Sequence, residues 1–119
     1  MKTYRQAITA HRVLYLISGK VTDTLTARRL YNLRKQLDEA IDFICERQKA
    51  LMEQYDVSYN EIGQWIYPDA INRDLFDKAN NELLDTENEI ECVRVKAEAI
   101  PGLSVDDIAS LDGFVEVEE

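Results

Sequence analysis

The apolar positions of this chain change period along its length, and each change predicts an element. From about Thr3 to Ser18, Tyr4, Ala7/Ile8, His11, Leu14/Tyr15 and Ile17 recur at three- and four-residue spacing. Arg5 and Arg12 fall on the other side, which predicts a helix with one inward face. Ser18-Gly19 offers a stop, because glycine enters the left-handed conformation without a Cβ clash. The run Val13-Leu14-Tyr15-Leu16-Ile17 leaves an extended ending open as an alternative. A second helix over about residues 26–55 is the firmest feature, capped by Thr22 or Thr26. Leu30, Leu33, Leu37, Ala40, Ile44 and Leu51 form its seam, Ile41 widens it, and Tyr55 lies one turn beyond. From Ala27 to Gln54 it would run about 42 Å at 1.5 Å per residue. The first helix cannot cover that length, so the far end must meet a later helix or a second copy. Arg47 interrupts the seam, which argues against a perfect long coiled coil; it would pair with an acid or mark a change of packing partner.

Asp56 to Asp69 mixes turn formers with Tyr59, Trp65, Ile66 and Tyr67 around Gly63, and Pro68 ends it. Such a connector either folds back to cap the core or stands out as an aromatic recognition loop, with a turn of helix possible between Ser58 and Gln64. A third helix, about 70–88, is capped by Asp69 and places Ile71, Leu75, Phe76, Ala79, Leu83 and Leu84 on one face, antiparallel to the long helix. The period then shortens. Residues 90–95 alternate and are β-branched, Pro101-Gly102 turns, and Ser104 with Asp107 opens a short helix over about 104–111 holding Val105, Ile108 and Leu111. Residues 114–117 alternate again as a second strand. The two short strands can pair with each other on the helices, or the last can remain an edge open to strand addition. The expected fold is therefore mostly α with a minor β part. It is a long antiparallel helical hairpin, an N-terminal helix across it and two short C-terminal strands, all in a single domain spanning 1–119.

Composition changes this picture little; the placement of charge changes it more. The 119 residues carry a net charge of −9 and are 45% hydrophobic, as in a folded globular chain rather than an acidic tail. Residues 1–54 hold ten Lys/Arg and six Asp/Glu, whereas residues 55–119 hold four and seventeen, so the halves stand at +4 and −13. Such polarity either supports contact between halves, within or between chains, or reflects two solvated faces. Two cysteines are too few for a disulfide scaffold, so a reducing intracellular setting is the default, and no apolar run suggests a membrane span.

Chemistry-bearing patterns are sparse. His11 is the single histidine, and no HExxH, CxxC, GxGxxG or GxxxxGK pattern occurs, so no metal or cofactor is expected. Cys45 and Cys92 read as buried small hydrophobes, and His11 as a hydrogen-bonded packing residue. The acid pairs Asp106/Asp107 and Glu87/Glu89 do not match the spacing of a calcium loop. Arg28, Arg29, Arg34 and Lys35 make a basic patch on the long helix, but the acidic half would repel a nucleic-acid backbone, so direct nucleic-acid binding is disfavoured. An enzyme is the least supported class. The candidate interaction residues are Arg28, Arg29, Arg34, Lys35, Tyr59, Trp65 and Tyr67.

The stretches Gly19-Lys20-Val21, Ala27-Arg28-Arg29-Leu30-Tyr31-Asn32-Leu33-Arg34-Lys35-Gln36-Leu37 and Ile108-Ala109-Ser110-Leu111-Asp112-Gly113-Phe114 resemble a family of short uncharacterised proteins of tailed phages and prophages, as does Glu82-Leu83-Leu84 before a short strand. The resemblance covers most of the chain loosely. It implies a phage or prophage origin, a bacterial host cytoplasm and a helical hairpin with a small β part, and it brings no activity or site residue with it. The expected function is a non-catalytic accessory, assembly or host-interaction role through protein–protein contact, with self-association. The alternative is an acidic inhibitor that mimics nucleic acid and blocks a basic channel of a host enzyme, which needs the acids of 69–91 and 104–119 on one continuous surface.

Overall fold

Nothing between Thr24 and Gln54 breaks a helix, and these residues form α2, the 31-residue spine of the molecule. The computed structural model describes residues 2–118. Met1 and Glu119, the two ends of the expected domain and the latter one of its acids, lie outside the described residues. Asp23 caps α2, its carboxylate accepting from the Thr26 amide at 3.0 Å. The cap is therefore neither expected threonine: Thr26 is buried in the first turn, and an ionised carboxylate also suits the positive end of the helix dipole. The Thr26 hydrogen bonds hold the Asp23 carboxyl below the usual aspartate range. A carboxyl depressed in the folded state contributes stability above its unfolded pKa and loses that contribution as pH falls. Asp23→Asn keeps a capping oxygen without the charge. It is expected to flatten the acid limb of the stability–pH curve below about pH 4 while changing neutral stability little. Thermal melts across that range check this, and an unchanged acid limb would count against it.

α1 (Tyr4–Ile17) lies antiparallel along the first half of α2, as the pairs Tyr15–Arg34, His11–Asp38 and Tyr4–Phe43 show. α3 (Ala70–Leu84) lies antiparallel along its last third, through Gln48–Asn80 and Tyr55–Asn72. α1 thus runs along the spine rather than across it, and α3 and α1 meet end to end. Tyr4 N–H donates to the Thr86 carbonyl at 3.0 Å and Asn88 N–H to the Lys2 carbonyl at 2.9 Å, around an antiparallel bridge between Thr3 and Glu87. This pairing ends α3 at Leu84, four residues before the expected Asn88. The seam of the long helix continues on the same side past Ile44 through Gln48, Leu51 and Met52, with α3 replacing α1 as its partner, while Arg47 is exposed and stacks on Phe43 at 5.5 Å.

Two details of α1 differ from expectation. Its buried face is Ala7, Ala10, Val13, Leu14 and Ile17, centred on the small residues that permit close approach, so Ile8 and Tyr15 are left exposed. The helix stays regular to Ile17 and runs into a tight turn over Ser18–Lys20 without a left-handed glycine. Ser18 Oγ donates to the Leu14 carbonyl at 2.6 Å, satisfying one of the helix-end carbonyls.

At the far end, Asp56 (φ 54) takes the left-handed position that follows α2. Val57 N–H donates back to the Met52 carbonyl at 2.8 Å, and both side chains are buried there, completing a Schellman closure. Because a Cβ is disfavoured in this conformation, Asp56→Gly is expected to stabilise the chain by up to about 1 kcal/mol. Urea unfolding followed by Trp65 fluorescence measures it; destabilisation would show that the aspartate carries a further contact. Residues 58–66 form a small hairpin of β1 (Ser58–Tyr59) and β2 (Trp65–Ile66), in place of the alternative of a helical turn between Ser58 and Gln64. The Asn60 carboxamide oxygen accepts from the Ile62 and Gln64 amides at 3.0 and 2.8 Å, and Gly63 at φ +81 completes the turn.

β3 (Val93–Lys96) and β4 (Val115–Glu118) pair with each other in parallel, Val93 opposite Val115. Parallel strands need a crossover, supplied here by α4 (Val105–Ser110) with its Ser104–Asp107 capping box. β3 begins later than the expected residue 90 because side chains occupy the preceding backbone. Asn88 accepts from Ile90 N–H, Gln36 from Glu91 N–H, and Lys2 donates to the Ile90 carbonyl. Gly113 returns the chain into β4 at φ +83, where a Cβ would stand 3.1 Å from the Lys2 side chain.

Burial divides the molecule, 52 Å in its longest extent, into a head and an arm. The head core contains sixteen buried residues from α1, α2, the stretch before β3, β3, β4 and the crossover. The arm, formed by the end of α2, the hairpin and α3, has Met52, Val57 and Phe76 buried, Phe76 completely. On α3 the side facing α2 is Phe76 with Asn80, which accepts from Gln48 Nε2 at 3.0 Å. Ile71 and Leu75, expected on that face, are exposed, because a single neighbouring helix cannot cover so wide a stripe.

Candidate functional site

The basic residues of α2 do not form one patch. Helical spacing turns Arg29 towards β3, where its guanidinium donates to the Arg94 carbonyl at 2.9 Å. Arg34 turns towards α1 and lies between two tyrosine rings, 5.2 Å from the Tyr15 centroid and 5.8 Å from that of Tyr31. Lys35 also lies over the Tyr31 ring, at 5.7 Å, and Arg28 is exposed one turn before Tyr31. Among the described residues none of these four cations is in an ion pair. Stacking on tyrosine stiffens a guanidinium and keeps its donor edge free for an acceptor.

His11 extends the cluster, 4.9 Å from Tyr15 and 2.6 Å from the Asp38 carboxylate, a hydrogen-bonded packing histidine as expected. Beside Tyr31 and Arg34 lies a shallow cleft of about 240 Å³ floored by Val21, Ala27 and Leu30. Sequence reasoning found Arg34 and Lys35 but placed Tyr15 on the inward face and gave Tyr31 no role. The spacing of Tyr31 to Arg34 and Lys35 was the available signal.

The connector aromatics separate. Trp65 meets Phe76 edge-on with centroids 5.0 Å apart, and Tyr67 lies 6.1 Å from the same ring. Burial and the adjacent Asp77 carboxylate, to which Tyr67 donates at 3.4 Å, raise the Tyr67 phenol above its ordinary pKa. Both side chains therefore cap the arm core, and Tyr59 alone of the three stands in solvent. A second groove runs between α2 and α3, about 410 Å³, with Ala50, Leu51, Ala79 and Leu83 as its apolar lining and Arg47 and Glu82 at its edges. Of the six-residue stripe of α3, expected to pack against the long helix, Ala79 and Leu83 line this groove.

Cys45 and Cys92 are both exposed, contrary to the expected burial: Cys45 turns away from the seam of α2, and Cys92 lies in the irregular stretch before β3. Among the described residues no three His, Cys, Asp or Glu side chains converge as metal ligands would, and no helix is long and apolar enough to cross a membrane. The acids of the C-terminal half are interrupted by cations. Arg5 holds Asp85 at 3.0 Å and also lines the depression beside Asp112, and Arg94 reaches Glu116 and Glu118 at 3.3 and 3.6 Å. Comparison of the chain with protein-family models, with curated proteins and with solved structures gives no match.

Proposed function

We propose that this chain is a non-catalytic accessory protein of phage or prophage origin that acts through protein–protein contact and associates with copies of itself. The phage origin rests on the sequence resemblance alone. Self-association rests on the arm: three buried apolar residues hold it together, while Ile62, Ile66, Ile71 and Leu75 remain on its surface. An arm with so little interior and so much exposed aliphatic surface gains most from a protein partner. The tyrosine-framed Arg34 and Lys35 give the head a second contact surface suited to carboxylates on a host or phage protein. The nucleic-acid-mimic alternative has less support, since it asks for an unbroken acidic surface and Arg5 and Arg94 interrupt the acids of the C-terminal half.

Light scattering coupled to size exclusion, at low and high salt, tests the reading. A dimer that survives high salt supports association through apolar surface, and one lost at high salt supports association through the charged faces. A monomer at every concentration overturns self-association.

A further inference from the structure

α3 carries more apolar surface than α2 can cover. Phe76 and Asn80 face α2, and the neighbouring row Ile71, Leu75, Ala79 and Leu83 recurs every four residues along one flank. Ile71 is 72% exposed and Leu75 46%. Ala50 and Leu51 of α2 continue that flank across the groove. The alanines on the two helices, Ala50 and Ala79, leave space for another helix to approach closely. Arg47 on α2 and Glu82 on α3 border the same groove, and neither is in an ion pair among the described residues.

We propose that this flank is the self-association surface and that its occupant is the same flank of a second copy, related by a two-fold axis. The inference rests on the self-association reading above and names where it happens. A two-fold contact is self-complementary: if Arg47 reaches Glu82 of the second copy, Glu82 is reached by Arg47 in return. A surface bearing one cation and one anion beside an apolar row meets this requirement with itself. Two arms laid flank to flank form a four-helix layer in which Leu75 and Ile71 become interior. α3 is 15 residues long, about 22 Å at 1.5 Å per residue, and two helices side by side span about 20 Å. The contact then buries roughly 900 Å² in total, in the range of weak, transient contacts, so the dimer is expected to be reversible.

Sedimentation equilibrium from about 1 to about 200 µM, at low and high salt, tests the proposal on the full chain. Wild type is compared with Leu75→Glu, Arg47→Glu, Glu82→Arg and the double variant Arg47→Glu/Glu82→Arg. Far-UV circular dichroism and Trp65 emission confirm that each is folded. Leu75→Glu is expected to weaken the dimer at least about tenfold at both salt concentrations. Each single charge reversal weakens it at low salt, and the double reversal restores it to within about threefold of wild type, a rescue that a purely structural role would not produce. A wild-type dimer unaffected by Leu75→Glu, or charge reversals without rescue, overturns this surface and leaves self-association standing. A wild type that stays monomeric overturns both.

Discussion

Phe76→Ala is expected to cost about 3–5 kcal/mol and to melt the arm ahead of the head. Phe76 is fully buried, with Trp65 edge-on at 5.0 Å, Tyr67 on a second side and Met52 and Val57 completing its surroundings. No other buried apolar side chain of α3 can fill the space, because Ile71 and Leu75 lie on the far flank and Asn80 is held by Gln48. A large-to-small change costs most where the walls cannot collapse, and here two walls are rigid rings. Trp65 is the single tryptophan, so its emission reports the arm alone. The variant should lose the blue-shifted emission at a lower temperature than the one at which helical ellipticity falls, with the head core still in place. Coincident transitions would show that the head and arm cores are one cooperative unit, and a loss below about 1 kcal/mol would show that the walls around Phe76 collapse into the space.

How much of this was legible in the sequence depends on how local each signal was. The seam of α2 from Leu30 to Ile44, the Asp69 cap and the Ser104–Asp107 box are set within one or two helical turns, and all are found where the pattern places them. Arg47 stands at a nominal seam position, yet it is exposed and the seam runs past it through Gln48, Leu51 and Met52. What failed was whatever a distant segment decides. The inward face of α1 turns on Ala7 and Ala10, whose value lies in the closeness of α2 and the crossover rather than in their hydrophobicity. The late start of β3 follows from Lys2, Gln36 and Asn88 claiming backbone groups, two of them from far along the chain. The parallel pairing of β3 and β4 was open until the crossover was placed. At the candidate surfaces, composition found the cations but not their separation: Arg29 is spent on the β3 backbone, and Arg34 is framed by a tyrosine from another helix. The sequence favours Trp65 and Tyr67 as a cap over a recognition loop, and their contacts with Phe76 decide for the cap.

Phe114→Ala makes the complementary case at the other end of the molecule. Phe114 is fully buried, its amide donates to the Leu111 carbonyl and its carbonyl accepts from Val93 N–H, each at 2.9 Å. The Lys2 ammonium lies 5.7 Å from its ring centroid. One side chain therefore stands where the crossover, the start of the β3–β4 pairing and the N-terminal segment meet. Its removal is expected to cost about 3–5 kcal/mol, the range for an aromatic deleted from a closed core. A two-stranded sheet has little stability of its own, so the loss should appear as detachment of the whole β3–α4–β4 unit from the helices. Hydrogen exchange is the appropriate readout: amides of Val93–Lys96 and Val115–Glu118 should lose protection together, while those of α3 and the Trp65 emission stay as in wild type. If Trp65 responds as strongly as the strands do, α2 transmits strain along its full length, and the head and arm are not separate supports.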